Sequence, residues 1–490
     1  MSRGHGTAAA ASDVHAKADA KYVQMTRSPL EPLILRLAVP AIVSNLVTVT
    51  YNMADTWFIG RLGTSQSGAV GVAFSVMTIM QAIGFFFGQG GGNSLSRELG
   101  KRNEERASRL LSVAFFGSVG FGVLLGVLGL LVLQPMVHGL GATDTIAPYA
   151  VQYLTPLLVA TPCVTGSFTM NGLLRFQGLS AYSMIGLVTG AILNIALAPA
   201  LIFGAGLGIF GAGLATAICQ TISFTILTVM CVKVGVVRLS PRWFQPDMLL
   251  IREMIGGGLP SLLRNGVGSV AVTCVNLAAN PFGDAAIAAM AIVNRIALTA
   301  NSMIVGFGQG FQPVCGYNYG AGLFARVRRG FWFGVRVETA ILVCATVVFA
   351  LFAPELVGLF RADPDVIRIG EVALRLQCCT LWMNGFNMMS NMSQQTMGRT
   401  LAASILGVAR QGLFLVPLVW LLPAILPVFG LPALLGIQMA QPISDLLTFA
   451  ITVPIQLRML RGLKAAEGNP ADTLARSVAT SLSSTVRKAS

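Results

Sequence analysis

Asp55 is the residue of this chain whose type and setting point most directly to chemistry. It lies near the far end of an apolar run from about Leu33 to Ile59. An acid at the centre of a membrane helix costs roughly 2.5–3.5 kcal/mol, and less near an interface. Helical spacing puts Thr48, Tyr51 and Asn52 on the face that carries Asp55. A carboxyl beside hydroxyl, phenol and amide groups can take up a proton or small cation and offer polar contacts to a passing solute. Pro40 lies in the same run, and a proline inside a helix removes a hydrogen bond and bends the axis. A bent helix with one acid on an inward polar face reads as a transport element, with Pro40 as its hinge. The plainer alternative is a carboxylate that is paired or snorkels at the outer end.

Other ionisable groups fall inside apolar runs. Asp445, in QPISDLL, is a second candidate for cation or substrate contact. Arg264, Arg295 and Arg410 read as structural, paired with acids or helix carbonyls. Arg375, four residues after Glu371, reads as half of a helix-face ion pair. No catalytic constellation accompanies these groups. The three histidines, His5, His15 and His138, fall in a tail or an outer loop, and no G-x-x-x-x-G-K-[ST] loop is present. The eight cysteines include no CxxC pair and read as reduced packing residues with no metal role.

The elements that must position these residues follow from composition. The chain of 490 residues is 54% hydrophobic and only 11% charged, with mean hydropathy +0.73. So few charges cannot cover a water-soluble surface, and soluble domains carry about 25%. Apolar runs of membrane-crossing length, about 20 residues, begin near Leu33. They recur near 68–92, 110–133, 149–171, 182–204, 210–232, 257–278, 288–313, 331–353, 367–391, 403–423 and 433–455. The reading is an all-α integral membrane protein with twelve transmembrane helices.

The net charge of +14 does not indicate nucleic acid, because the basic residues cluster at the ends of apolar runs. With both termini inside, the inner segments hold 24 of the 33 Lys and Arg. That bias sets the expected orientation. The first 28 residues lack the apolar core of a signal peptide. Both termini are expected in the cytoplasm, with the protein in the cytoplasmic (inner) membrane.

The chain repeats itself at an offset of 220. Pro40 meets Pro260, Asn45 meets Asn265, Gly63 meets Gly283, and Phe87-Gly88-Gln89-Gly90 recurs as Phe307-Gly308-Gln309-Gly310. An even number of crossings returns the chain to its starting side. Two six-helix bundles are therefore expected, related by a pseudo-two-fold axis along the membrane normal. Pro260 becomes the second candidate hinge. The position opposite Asp55 is Val275, so only the first half carries this acid. The expected organisation is an N-terminal tail (1–32), a first lobe (33–232), a cytoplasmic linker (233–256), a second lobe (257–456) and a basic, disordered tail (457–490).

Several stretches resemble the multidrug and toxic compound extrusion (MATE) transporters over about residues 33–460. They are YNMADTWFIGRLG at 51–63, GQGGGNSLSRELGKRN at 88–103, LLRFQG at 173–178, ILNIALAPALIF at 192–203 and GFGQGFQPVCGYNYGA at 306–321. GLPSLLR, from Gly258 to Arg264, is similar to a bacterial branch of that family. The resemblance implies two lobes around a cleft and outward export of amphipathic, often cationic compounds against protons or sodium. It assigns Asp55 to the coupling cation, and Asn194 and Thr216 to the same cavity. It also matches Pro40 to the bend of the first helix. Some members have a second acid where this chain has Ala198, and others an acid on the seventh segment, where it offers only Arg264. Both departures favour protons over sodium.

The chain is thus expected to be a secondary antiporter, not an enzyme, working by alternating access. No cofactor is expected, and the partners are small-molecule substrates and membrane lipids but no nucleic acid, with the protein acting as a monomer. The first alternative is a lipid-linked oligosaccharide flippase of the same plan, for which Arg264, Arg295 and Arg410 would hold a pyrophosphate. A membrane-embedded enzyme is a weaker one, because no acid–base or metal-ligand groups converge.

Overall fold

The structure, a computed structural model, describes residues 3–467, with side chains from residue 15 onward except at Thr64. All regular structure among the described residues is helical. Helix α1 (Arg3–Arg27) precedes the membrane core and is rich in alanine, the strongest helix former. The first half continues with α2 (Leu30–Gly60), α3 (Thr64–Gly100), α4 (Glu104–Leu131), α5 (Ala147–Val159), α6 (Thr161–Phe176), α7 (Ser180–Pro199) and α8 (Gly208–Val234). The second half has α9 (Met248–Ala279), α10 (Asp284–Gly320), α11 (Phe324–Leu351), α12 (Pro364–Leu381) and α13 (Met383–Thr396). It ends with α14 (Thr400–Val408), α15 (Val416–Ile425) and α16 (Ala433–Ala466). A π turn at Ala200–Gly204 extends α7, and one at Ala409–Leu415 joins α14 to α15.

Among the described residues ten helical segments are long and apolar enough to cross a membrane, and α5 with α6, bent by 58° at their junction, makes an eleventh. The bend coincides with Thr161-Pro162, where proline removes a donor at the start of α6. Helices α12 and α13 hold the corresponding place in the second half and complete twelve crossings. Their combined hydropathy is low because α13 is MNGFNMMSNMSQQT, whose polar side chains are buried against protein rather than lipid. Gln394 donates to Gln456 at 3.0 Å and Gln456 donates to Ser393 at 3.1 Å, so part of this polarity is satisfied internally. Large exposed apolar residues such as Phe74, Leu131, Val232, Leu351 and Leu401 suit contact with lipid tails.

The internal repeat is visible in local geometry. Asn171 donates to the carbonyl of Ser183 at 3.1 Å, and Asn391 to that of Ala403 at 2.7 Å. Gly178 and Gly398 both take φ of 78°. Arg102, with φ of 61°, stands where the second half has Gly322 at 73°, so the first half holds a costlier residue in the same left-handed turn.

The chain forms two compact units. One comprises residues up to Lys21, Arg36–Leu95 and Asn103–Leu262, and the other comprises Tyr22–Leu35, Ser96–Arg102 and Leu263 onward. In the first unit α4 packs on α6, and α8 receives α5, α6 and α7. Its core includes Ile59, Met80, Tyr153, Leu157 and Ile202. Gly88 and Gly172 bring α3 and α6 together, since a Cβ on Gly172 would stand 3.1 Å from the Gly88 backbone. In the second unit α10 packs on α11, α12 and α13, while α16 packs on α12 and α15.

One sequence expectation is corrected. The stretch 457–466, assigned to a disordered tail, is the end of α16. Met459, Leu460 and Leu463 bury one face, and Arg458, Arg461 and Lys464 lie near the negative end of the helix dipole. The rest of that tail, 468–490, lies outside the described residues.

Candidate functional site

Helix α2 runs without a break through Pro40. Downstream of the proline, the Ser44 hydroxyl donates to the Pro40 carbonyl at 2.9 Å and Thr48 donates to the Ser44 carbonyl at 2.8 Å. These back-bonds satisfy the small polar side chains on their own helix. Tyr51 and Asp55 follow on the same face and are buried, with Asp55 only 8% exposed.

Tyr153 reaches Asp55 from α5. Its phenol donates to Asp55 Oδ2 at 3.3 Å and also lies 3.7 Å from Met77 Sδ. The other carboxyl oxygen, Oδ1, is buried and has no hydrogen-bond partner among the described residues. The acid is thus oriented by one donor and has acceptor capacity left for a proton or small cation.

One helical turn from Asp55, Tyr51 forms part of the wall of a small cavity of about 20 Å³, together with Thr48, Phe168, Asn194, Thr216 and Gln220. The Asn194 amide donates to Thr216 Oγ1 at 3.2 Å, and the Thr216 hydroxyl donates to the Ala212 carbonyl at 3.2 Å. Deeper in the same unit, Ser223 donates to the Gly186 carbonyl at 3.0 Å. A space of this size admits about one water in this conformation, and a wall of two aromatic rings with a few polar groups has the chemistry to meet an amphipathic molecule.

The structure therefore brings together Thr48, Tyr51, Asp55, Asn194 and Thr216. Asn52 is half-buried on α2 and is not part of the cavity wall. Asp445 does not join them. It lies in the second unit, fully buried, with Arg410 Nε at 2.7 Å and Gln441 Nε2 at 2.9 Å from Oδ1, and with Asn384 Nδ2 at 3.2 Å and the Thr380 hydroxyl at 3.5 Å from Oδ2. Both of its oxygens are engaged, so no acceptor face is left open to a solute. Pro260 is buried inside α9.

The three arginines within the spans differ. Arg264 donates to Asn391 at 2.9 Å, Arg410 pairs with Asp445, and Arg295 is exposed. Arg375 pairs with Glu371 at 2.5 Å, the helix-face contact its spacing indicates.

Sequence reasoning missed Tyr153, Gln220 and Glu338. The first two carry no local signal, since their roles depend on a helix far away in sequence. Glu338 carried the same signal as Asp55, an acid inside an apolar run, and was open to the same reading.

The MatE family model matches residues 40–200 and again 260–421, one copy per half. The chain is 25% identical over 430 residues to multidrug export protein MepA of Staphylococcus saprophyticus, covering 87% of this chain and 94% of that protein. It is 26% identical over 417 residues to multidrug export protein MepA of Staphylococcus aureus, covering 84% and 91%. Among solved structures it is similar to an outward-facing multidrug resistance MATE family transporter of the MOP superfamily, at 24% identity and TM-score 0.84, covering 90% of this chain and 98% of that one. A MATE structure in the bent conformation is similar at 24% identity and TM-score 0.84, covering 91% and 99%.

Proposed function

The chain belongs to the MatE family, whose members are transporters and not enzymes, and from that premise we propose that it exports amphipathic or cationic small molecules across the cytoplasmic membrane in exchange for protons. The observation that carries this reading is the setting of Asp55. Its carboxyl is buried, held by a single phenol on one oxygen, and one helical turn from a cavity lined by Tyr51, Asn194 and Thr216. A proton arriving at Oδ1 neutralises the acid, and its departure restores a negative charge next to the cavity. When the cavity widens during transport, an organic cation is favoured in it only in the deprotonated state. Each proton entering the cell brings about 1.4 kcal/mol per unit of pH difference and about 2.3 kcal/mol per 100 mV of membrane potential. One or two protons therefore suffice to sustain a tenfold gradient. The relatives named as multidrug export proteins support the substrate class.

The same site favours protons over sodium. Sodium needs several oxygen ligands, and Asp55 supplies one open oxygen with no second acid beside it, since Ala198 stands one turn beyond Asn194. The oligosaccharide flippase reading is disfavoured because Arg410 and Arg264 are committed to Asp445 and Asn391.

The test is uptake of a fluorescent organic cation into inverted vesicles under an imposed proton or sodium gradient. A proton gradient should drive uptake, and Asp55→Asn, which keeps the side-chain size but cannot release a proton, should abolish it while the protein still reaches the membrane. Uptake driven by sodium alone, or undiminished in Asp55→Asn, would overturn the assignment.

A further inference from the structure

Glu338 lies midway along α11 with none of its surface exposed, and neither Oε1 nor Oε2 has a hydrogen-bond partner among the described residues. Glycine on two neighbouring helices makes the room for it. A Cβ on Gly308 of α10 would stand 3.4 Å from Oε1, and one on Gly385 of α13 would stand 3.1 Å from the Glu338 Cβ. One turn along α11, Leu342 packs with Ala300, Ile304 and Leu381. One turn the other way, Gly334 meets Met389 and Phe307.

Among the described residues no charge compensates the carboxyl. Helix α13 has no titratable residue. On α10 the nearest basic residue, Arg295, is thirteen positions before Gly308, roughly 20 Å along the axis, and Tyr317 lies nine positions beyond it. On α12, Glu371 and Arg375 pair with each other and Cys378 is a buried thiol. On α16, Asp445 is engaged by Arg410. On α11 itself Arg336 is exposed. An ionised carboxylate without donor or counter-ion in such a setting costs several kcal/mol, so only the neutral acid is compatible with these surroundings.

The internal repeat shows how the position was made. Glu338 stands where the first half has Ser118, and Gly385 where it has Thr165. In the first half the Thr165 hydroxyl donates to the Ser118 carbonyl at 3.1 Å. The second half has a longer acid in place of the serine and no side chain in place of the threonine. The two changes are complementary, since a threonine at 385 would press on the Glu338 backbone and Cβ. Glu338 thus stands opposite Ser118, as Asp55 stands opposite Val275.

We propose that Glu338 is a second proton-binding site, loaded in the conformation described here and emptied when α10 and α13 separate from α11 during transport. The O–H bond of the acid breaks, the proton passes to water, and the carboxylate gains the solvation its closed setting denies it. The inference rests on the proton-coupled reading above, and it raises the expected count from one proton per cycle to two.

The test reconstitutes the full-length chain in liposomes and counts protons moved per ethidium ion from the pH gradient that balances a fixed ethidium gradient. The native chain should move two, and Glu338→Gln should move one. An unchanged count in Glu338→Gln would overturn this proposal alone, whereas absence of proton-driven ethidium movement in the native chain would overturn the coupling itself. A measurement without substitution covers the case in which Glu338→Gln does not fold. Infrared spectra of native protein with isotope-labelled glutamate should show the carbonyl stretch of a protonated glutamic acid at neutral pH. The other buried glutamate among the described residues, Glu98, accepts from Lys101 at 2.7 Å. Absence of that band would sink the proposal.

Discussion

Arg410 places Nε 2.7 Å from Oδ1 of Asp445, inside a span where Asp445 is fully buried. The guanidinium comes from a π turn, and the Ser444 hydroxyl donates to the Arg410 carbonyl, which ties the widened backbone to the neighbouring helix. The second unit thus holds a carboxylate that already has a fixed cation beside it. Removing one member of a buried pair typically costs about 3–5 kcal/mol, because the other charge is left uncompensated. Arg410→Gln should therefore lower thermal stability in detergent markedly, and Arg410→Gln with Asp445→Asn should recover most of the loss. Asp445→Asn should still transport when rates are referred to folded protein. Loss of transport in folded Asp445→Asn, with Asp55→Asn active, would move the coupling site to the second unit.

Lys21 provides a pH-dependent contribution outside the spans. Burial, reinforced by repulsion from Arg36, lowers its ammonium from 10.5 to about 8. The folded state binds this proton less tightly than the unfolded chain does. Between those two values the unfolded chain holds more protons, so this group's contribution to stability rises with pH. Below about 8 the charged lysine weighs against the fold. Lys21→Met keeps the apolar stem and should melt higher than the native chain at neutral pH, with the difference vanishing as the pH approaches 10.5. A difference that grows on the alkaline side would show the opposite linkage.

Pro40 bears on movement of α2 rather than on its formation, because the helix continues on both sides of it. Pro40→Ala restores a backbone donor and should leave membrane insertion intact while reducing turnover severalfold, and Pro260→Ala in α9 tests the corresponding position. Transport rates unchanged in both variants would assign the two prolines to packing.

The orientation proposed from the Lys and Arg distribution can be tested by labelling. With the exposed Cys344 and Cys379 first replaced by serine, Leu140→Cys should react with an impermeant thiol reagent added outside whole cells. Lys101→Cys should react only after the cells are opened. The reverse pattern would invert the topology and the direction of export.

The sequence by itself determined the class of the protein, the twelve crossings, the internal repeat and the polar face of α2. These depend on run length, helical period and local backbone demands, all of which are written within a few turns of chain. The two-turn spacing of Thr48, Tyr51 and Asp55 is of that kind. The tertiary structure alone decided which acids are available. Asp55 meets Tyr153 from 98 residues away and retains a free oxygen, whereas Asp445 meets Arg410 and Asn384 and retains none. Glu338 is enclosed by glycines that belong to other helices. A carboxyl's role depends on the donors, charges and space that distant segments bring to it, and a one-dimensional pattern of hydropathy holds no record of those encounters.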